Sequence, residues 1–458
     1  MPSPCGQRRA VTVKPSEINA TLREIRVAPV KTLGQNFLHD RNLARWIVEK
    51  AEITKDDYVV EIGPGLGALT QFALATGAHV LAIEKDVRLA DFLREHFHES
   101  RLQIQRGDAL DFDLRTLFAR RCVKCIGNLP YYVASQLLFK FVHYPSPISL
   151  FLFMLQKEMA RRLSATPGTK DYGALTIIVQ ARFHVQYLRT VPATVFLPQP
   201  EVDSALVRFA PRVRDELPFF DQEILLELVR RGFSQRRKQL QKLFREEIPD
   251  WEKAANQIGF AAKARGEELS LHQWIALANH VRPFALAAEA TIASERFPVV
   301  DKNDRVVRDA SRSEVHGNNL RHRAVHVLVF NVCGEVYLQK RSRWKDRHPW
   351  LWDSSAAGHV NAGEDYDSAA LRELDEELGI TTKLQRLVKI PASERTGQEF
   401  IWLYRAGHDG PFRIAPAEIE WGEFFPTEIV SAWIRARRED FTPGFIECWA
   451  AYQKRESA

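Results

Sequence analysis

Two groups of residues in this chain have the types and spacing that chemistry requires. In the first, Glu61-Ile-Gly63-Pro-Gly65-Leu-Gly67-Ala68 follows an apolar run and opens a helical pattern. Its glycines permit a tight turn and let backbone approach a ligand closely. Gly63, Gly65 and Ala68 also satisfy the dinucleotide-binding fingerprint, and Glu84, about 20 residues on, suits ribose hydroxyls in either case. Gly107-Asp108-Ala109 and Asn128-Leu129-Pro130-Tyr131 then place polar groups after two further strands, at the carboxyl ends where open α/β sheets bind ligands. A hydride-transfer enzyme has no need of the last segment. An amide oxygen of Asn128 and the Leu129 or Pro130 carbonyl can accept from an exocyclic amine while Tyr131 stacks on the base, which suits methylation of an amino nitrogen held out of its stack. An exocyclic amine of a base is a poor nucleophile; acceptors that bias it towards tetrahedral geometry orient its lone pair, with no metal or strong base required.

The second group lies near the C-terminus: Gly358, Glu364, then Arg372-Glu373-Leu-Asp-Glu376-Glu377-Leu378-Gly379-Ile380. Glu373, Glu376 and Glu377 fall at i, i+3 and i+4 on one helical face, concentrating carboxylates for a hard divalent cation such as Mg²⁺ or Mn²⁺. Three acids so placed repel one another until something cationic joins them.

The elements that must carry these residues can be read from periodicity. Short apolar strands at Tyr58 to Ile62, His79 to Ile83, Leu102 to Gln105, Val123 to Ile126 and Ser149 to Leu155 alternate with helical patterns at Leu66 to Ala75 and Val87 to Phe97. Such alternation specifies βαβ units and a doubly wound parallel sheet. Helical patterns follow at Leu225 to Arg230, Arg236 to Phe244, Trp251 to Ile258 and Leu271 to Leu277. The Ala- and Glu-rich stretch 285–294 reads as a linker helix or spacer. A new domain opens with strands at Phe297 to Val300, Ala324 to Phe330 and Val336 to Lys340, and reaches a helix at Ser368 to Leu378. The boundaries expected are an N-terminal tail at 1–29, an α/β domain at 30–212, a helical subdomain at 213–283, a linker at 284–296 and a final domain at 297–458.

Length and charge agree with this division. At roughly 150 residues per domain, 458 residues imply about three domains. The formal charge of +6 conceals an asymmetry: residues 1–285 carry 40 Lys and Arg against 31 Asp and Glu, whereas 286–458 carry 24 against 27. A basic part suited to RNA phosphates is thus joined to a mildly acidic one. The longest apolar run, Ile148 to Leu155, contains Ser149 and falls far short of the ~20 residues of a spanning helix. Five scattered cysteines form no disulfide framework, and the first 30 residues hold no apolar signal region, so a cytoplasmic location is expected. Cys122 and Cys125 form a lone CxxC without further ligands and read as buried strand residues.

The first group sits within a dense resemblance to the ribosomal RNA adenine dimethyltransferases, over about residues 30 to 282. It is carried by Leu33-Gly-Gln35-Asn36-Phe37-Leu38, the glycine loop, Gly107-Asp108, Asn128 to Tyr131, Gln156-Lys-Glu158, Tyr172-Gly173, Phe196-Leu-Pro198-Gln-Pro-Glu-Val-Asp203-Ser204 and Phe233-Ser-Gln-Arg236-Arg237-Lys238. The resemblance implies a Rossmann-like class I methyltransferase fold with a small helical C-terminal subdomain. It implies S-adenosylmethionine contacts at Asn36, Leu38, Gly63, Gly65, Glu84, Asp108 and Asn128, and a target adenine held by Asn128, Leu129, Pro130, Tyr131 and Phe196. RNA would meet Arg236, Arg237 and Lys238. Leu129 and the helical subdomain look more like the small-subunit enzymes, whose substrate is a pair of adjacent adenines near the 3′ end of 16S rRNA in the small ribosomal subunit precursor.

The second group fills every defined position of the Nudix box, which implies an α/β/α sandwich and metal-assisted attack of water on a diphosphate-containing small molecule. By that resemblance Glu376 and Glu377 ligate metal, Glu373 ligates metal or helps activate water, and Arg372 orients the carboxylates. Around the box, His316, Leu320-Arg-His322-Arg-Ala324, Phe330-Asn331, Leu338-Gln-Lys-Arg341, Trp352, Gly358-His359, Glu399, Glu418 and Phe441-Thr-Pro443 resemble the isopentenyl diphosphate isomerase branch. Glu364, Glu399 and His359 are further candidate metal ligands. Where the isomerases place a catalytic Cys before the Gly-His pair this chain has Ala357, and it keeps the acidic box that they lack, so hydrolysis is favoured over isomerisation. A non-catalytic docking module, or a ribosome-assembly factor that only binds, are the competing readings; intact carboxylates and intact Asp108 and Asn128 argue against them.

Overall fold

The computed structural model describes residues 15–28, 35–129, 131–143, 147–212, 216–218, 220–281, 295–342, 345, 347–415 and 417–457. Apart from a short stretch around residue 220, they form two compact units, one of residues up to Leu277 and one from Ala278 on. The expected linker helix at 285–294 lies outside the described residues.

The first unit is built on nine strands: β1 Phe37–Leu38, β2 Tyr58–Ile62, β3 His79–Glu84, β4 Leu102–Arg106, β5 Val123–Asn128, β6 Ile148–Gln156, β7 Phe183–Val191, β8 Phe196–Leu197 and β9 Ser204–Pro211. Seven form one sheet in the order β4-β3-β2-β5-β6-β9-β7, and β1 pairs separately with β8. Strands β2 to β6 are parallel, as the βαβ pattern requires, while β9 runs antiparallel to both β6 and β7. Alternation along β6 feeds two apolar layers: Phe151, Phe153 and Leu155 enter one, Leu150, Leu152 and Met154 the other. A strand covered on both faces reads as a continuous apolar run, which is how it stood out in the sequence. The helices Gln222–Ser234, Leu240–Phe244, Trp251–Ile258 and Leu271–Val281 follow. The buried Tyr172, whose hydroxyl donates to the Leu269 carbonyl at 2.9 Å, ties them to the sheet's own loops.

Four expectations need correction. Residues 15–24 are not a loose tail: Pro15–Glu24 is a helix whose Ile18 and Leu22 pack against Phe37, Leu66, Leu89, Phe92 and Leu93. Its apolar positions, four apart, lie on one face and find cover on the helix Val87–His96 and on Phe37 and Leu66. Leu22→Asp would bury an unpaired carboxylate there, so limited proteolysis should cut within 15–28 in the variant and spare the parent. The helix after the glycine loop starts at Thr70 and not at Leu66, because Gly63, Gly65 and Gly67 all hold positive φ. Residues 235–239 are a turn before the helix Leu240–Phe244, not a helix from Arg236. Of the CxxC pair, Cys125 is buried in β5 but Cys122 is exposed.

The second unit holds β10 Arg296–Val300, β11 Val306–Ser311, β12 His322–Phe330, β13 Val336–Arg341, β14 Trp352–Asp353, β15 Ala356–His359, β16 Gln385–Ile390, β17 Glu399–Gly407 and β18 Ile419–Phe425. Its sheet runs β14-β13-β12-β17-β16, with β15 on β12 and β18 on β13; β10 and β11 form a separate hairpin. On one face Val325, Val327 and Val329 of β12 pack under the helix Tyr366–Leu378 through Ala369, Ala370, Leu374 and Leu378. On the other, Phe330 meets Tyr452 of the helix Pro443–Glu456, with ring centroids 5.4 Å apart. The result is a helix/sheet/helix sandwich.

Candidate functional site

In the first unit, the ends of β2, β3 and β5 and the loops after β3 and β4 enclose a cavity of about 120 Å³. Its wall contains Asn36, Leu38, Gly63, Gly65, Glu84, Asp108 and Asn128, every S-adenosylmethionine contact expected from the sequence. Glu84 is fixed at the tip of β3: its Oε2 accepts from Gly65 N at 3.1 Å and its Oε1 from Asp86 N at 2.9 Å. Burial raises its pKa. Glu61, deeper and fully buried, is pushed up to about 7 by burial although Thr70 Oγ1 donates to it at 2.6 Å. Burial pushes Asp108 up too, but Lys85 Nζ at 2.7 Å and Leu110 N at 2.9 Å outweigh it and hold its carboxyl below the usual range. Asn128 donates from Nδ2 to the Asn36 carbonyl at 2.9 Å, which leaves its Oδ1 as an acceptor.

Other expected residues fall elsewhere. Leu129 is buried in the core and donates its N–H to the Met154 carbonyl; Pro130 and the side chain of Tyr131 lie outside the described residues. Phe196 is buried beside Leu38 in an apolar layer and is not part of the cavity wall, because pairing of β8 with β1 turns its ring inward. Arg236, Arg237 and Lys238 are all exposed, but Arg236 is engaged within the protein, donating to the carbonyls of Lys170 and Tyr172 at 2.8 and 3.1 Å and pairing with Glu267. Sequence reasoning did not assign Ile18, Gln35 and Asp86 to the wall, which they also line; Ile18 was hidden because its helix had been read as tail.

The second unit has a larger cavity, about 490 Å³, that gathers all three box glutamates. Arg372 is their hub. It donates to both oxygens of Glu364 at 3.0 Å, to Glu373 at 2.8 Å, to Glu376 at 2.9 Å and to the His359 carbonyl at 2.9 Å. Glu364 is therefore a clamp on Arg372 and does not offer a free ligand edge. Glu376 has a largely exposed carboxylate, while Glu377 is 1% exposed and accepts from Gln339 Nε2 at 3.0 Å and Ala357 N at 3.1 Å. Burial, then the charge of Glu377, pushes Glu373 up to about 8, and burial raises Glu377 as well. Such carboxylates favour a proton or a cation between them, so they fit a divalent metal. Glu373 also explains Gly358: a Cβ there would stand 2.0 Å from Glu373 Oε1. Gly358→Ala should displace that carboxylate and cut phosphohydrolase turnover at least tenfold, measured as phosphate release.

Beside the box, His316, His322 and His359 bring ring nitrogens within 4.8 Å of one another. Glu399 Oε1 lies 3.5 Å from His322 Nε2 and 3.4 Å from His359 Nε2. His322 is 1% exposed and its Nδ1 must donate to the Leu320 carbonyl at 2.8 Å. Its buried Nε2 faces the Glu399 carboxylate. Burial pushes His359 down to about 3; Glu399, despite burial, is held well below the carboxylate range by the two imidazoles. Three imidazoles and a carboxylate so oriented fit a transition metal or zinc. Sequence reasoning also missed the cations of this wall, Arg312, Lys345, Arg347 and Arg395, and the buried His326.

A glycine loop after the first parallel strand of a doubly wound sheet, with Glu84 at the end of the next strand and Asp108 after the one beyond, defines a class I S-adenosylmethionine-dependent methyltransferase, and the second unit is a Nudix fold. The chain belongs to the ribosomal RNA adenine dimethylase family, which matches residues 30–282, and carries a NUDIX domain matching 320–445. Among its relatives, ribosomal RNA small subunit methyltransferase A of Geobacillus thermodenitrificans is 39% identical over 266 residues, 55% of this chain and 91% of the relative. That of Alcanivorax borkumensis is 41% identical over 263 residues, 57% and 92%. The crystal structure of the 23S rRNA methyltransferase ErmE is 27% identical with a TM-score of 0.46, covering 54% of this chain and 99% of that one. The chain is thus an rRNA adenine dimethyltransferase with a fused Nudix hydrolase domain. None of its described helices is long and apolar enough to cross a membrane.

Proposed function

We propose that the first unit dimethylates the exocyclic amines of two adjacent adenosines near the 3′ end of 16S rRNA, and that the Nudix domain hydrolyses a diphosphate-containing small molecule with Mg²⁺. The first reading rests on Asn128. Its amide is locked by the Asn36 carbonyl, so Oδ1 is a fixed acceptor for a target amine at the rim of the cavity. Bound S-adenosylmethionine supplies an electrophilic sulfonium methyl. Around it Glu84 offers its remaining lone pairs to ribose hydroxyls, Asp108 accepts from an adenine amine, and Asn128 orients the nucleophile. Exposed Arg237 and Lys238 are suited to RNA phosphates, which would make binding salt-sensitive. Methylation of purified small subunits with radiolabelled donor, followed by primer extension, tests this; label outside the 3′ region of 16S rRNA overturns it.

The second reading rests on the fan of Arg372 to three glutamates beside the buried Glu377. Glu373, Glu376 and Glu377 would hold the metal, which when bound polarises a phosphoryl oxygen and acidifies water. Lys345, Arg347 and Arg395 across the same cavity would neutralise the diphosphate. Incubation with nucleoside diphosphate derivatives and isopentenyl diphosphate, with and without Mg²⁺, separates hydrolase from isomerase: dimethylallyl diphosphate as sole product overturns the hydrolase.

A further inference from the structure

Resting on the hydrolase reading, we propose that His326 is the proton-accepting catalytic residue of the Nudix cavity, poised there by Ser354 on one ring nitrogen and left open at the other beside Gly444, with Ala357 as its cross-strand neighbour.

Strand β12 alternates: Val325, Val327 and Val329 enter the apolar core, so His322, Ala324 and His326 share the opposite face. In the antiparallel pairing of β12 with β15, His326 stands opposite Ala357, and directly opposed residues project to the same side. The position that lacks a thiol is thus the cross-strand neighbour of an imidazole, and its bare methyl leaves that ring room. Both residues line the 490 Å³ cavity together with the box glutamates.

The ring is held for proton transfer. Its Nδ1 lies 2.8 Å from Ser354 Oγ and 3.7 Å from Asp353 Oδ1. Asp353 is itself anchored, accepting from Ser354 N at 2.8 Å and from Arg341 Nη1 at 3.0 Å. The Asp353 carboxylate beside Nδ1 favours the tautomer with the proton on that atom, donated to Ser354 Oγ, so that Nε2 carries the lone pair. That atom makes no hydrogen bond among the described residues and lies 3.5 Å from where a Cβ on Gly444 would stand, so any larger residue there would cover it. The buried carboxylates of the wall are each already tied to a donor: Glu373 to Arg372, Glu377 to Gln339 and Ala357 N. His326 Nε2, by contrast, is a buried base of this wall that no donor among the described residues occupies.

In the reaction, water oxygen bonds to one phosphorus and the bridging P–O bond breaks. The water proton passes to His326 Nε2, and the bridging oxygen leaves on the departing phosphate with the bond's electron pair. His326 then returns its proton to that phosphate or to solvent, so no other reactant is needed.

The test uses the full chain with Mg²⁺ and whichever diphosphate of the panel it cleaves fastest. His326→Gln and His326→Ala should lower kcat by about 10²- to 10⁴-fold with KM within about threefold, and added imidazole should restore turnover of His326→Ala at least tenfold. A packing role would give no rescue. Should both replacements unfold the domain, Ser354→Ala, which leaves the ring in place but unmoored, should lower kcat about tenfold. A wild-type kcat in His326→Gln or in Ser354→Ala, a change confined to KM, or a folded His326→Ala that imidazole does not rescue overturns the proposal alone. If the wild-type chain cleaves no diphosphate, the hydrolase reading falls and takes this one with it.

Discussion

Asn128→Ala is expected to lower methyl transfer to small-subunit rRNA by about 10²- to 10³-fold, the usual effect of removing one oriented polar group from a reacting centre. Donor binding should weaken only in part. The wall of the cavity explains the split, since Gly63, Gly65, Glu84 and Asp108 come from other strand ends and keep their own supports: Glu84 from two backbone N–H groups, Asp108 from Lys85 and Leu110 N. The fold should survive, because alanine forfeits one hydrogen bond, that from Asn128 Nδ2 to the Asn36 carbonyl, worth about 1 kcal/mol. What it loses outright is the acceptor Oδ1, and with it control of the amine's lone pair. Primer extension across the target adenines and calorimetric titration of S-adenosylmethionine read the two effects separately. Full methylation by the variant would remove Asn128 from the reaction, and equal loss of binding and transfer would make it a donor-site residue only.

The residues of that cavity were legible in the sequence because topology keeps them in order. Parallel strands all end on one side, so polar residues that follow successive apolar runs must converge; β2, β3 and β5 deliver Gly63, Glu84 and Asn128 to one wall in this way. The box helix was legible for a local reason, since i, i+3 and i+4 share a face wherever the helix sits. What escaped depends on register and packing between distant segments. His326 and Ser354 are 28 residues apart and are brought to hydrogen-bonding distance by the pairing of β12 with β15; neither period nor motif announces it. Phe196 opens a recognisable segment, yet pairing of β8 with β1 decides which way its ring turns. Arg236 looked like one of three equivalent cations, but its guanidinium reaches backbone carbonyls 66 and 64 residues away. The antiparallel pair β7 and β9 offered weak alternation, being only half-buried along β7, and so did not declare itself as part of the sheet.

Glu377→Gln is expected to abolish Mg²⁺-dependent phosphohydrolysis while leaving the metal-free domain at least as stable as the parent, an opposition of signs that a merely structural glutamate would not show. The carboxylate is 1% exposed and faces Glu373 in a site where burial raises both acids. Replacing one of two adjacent buried carboxylates by a neutral amide of the same shape relieves desolvation and repulsion. The glutamine carbonyl can still accept from Gln339 Nε2 and Ala357 N, the two donors that position Glu377 now, so the helix Tyr366–Leu378 keeps its anchor. The amide cannot replace a negative charge toward a divalent cation. Metal-assisted charge stabilisation is worth several kcal/mol, so its loss corresponds to about 10²- to 10³-fold in turnover. Thermal melting with and without Mg²⁺ gives the second readout: the cation should raise the midpoint of the parent Nudix transition and leave that of Glu377→Gln in place. Equal Mg²⁺-induced shifts in both proteins would move the metal away from this helix. Methylation of small subunits by the same preparation should be unaffected, which separates loss of the metal site from loss of the chain's folding.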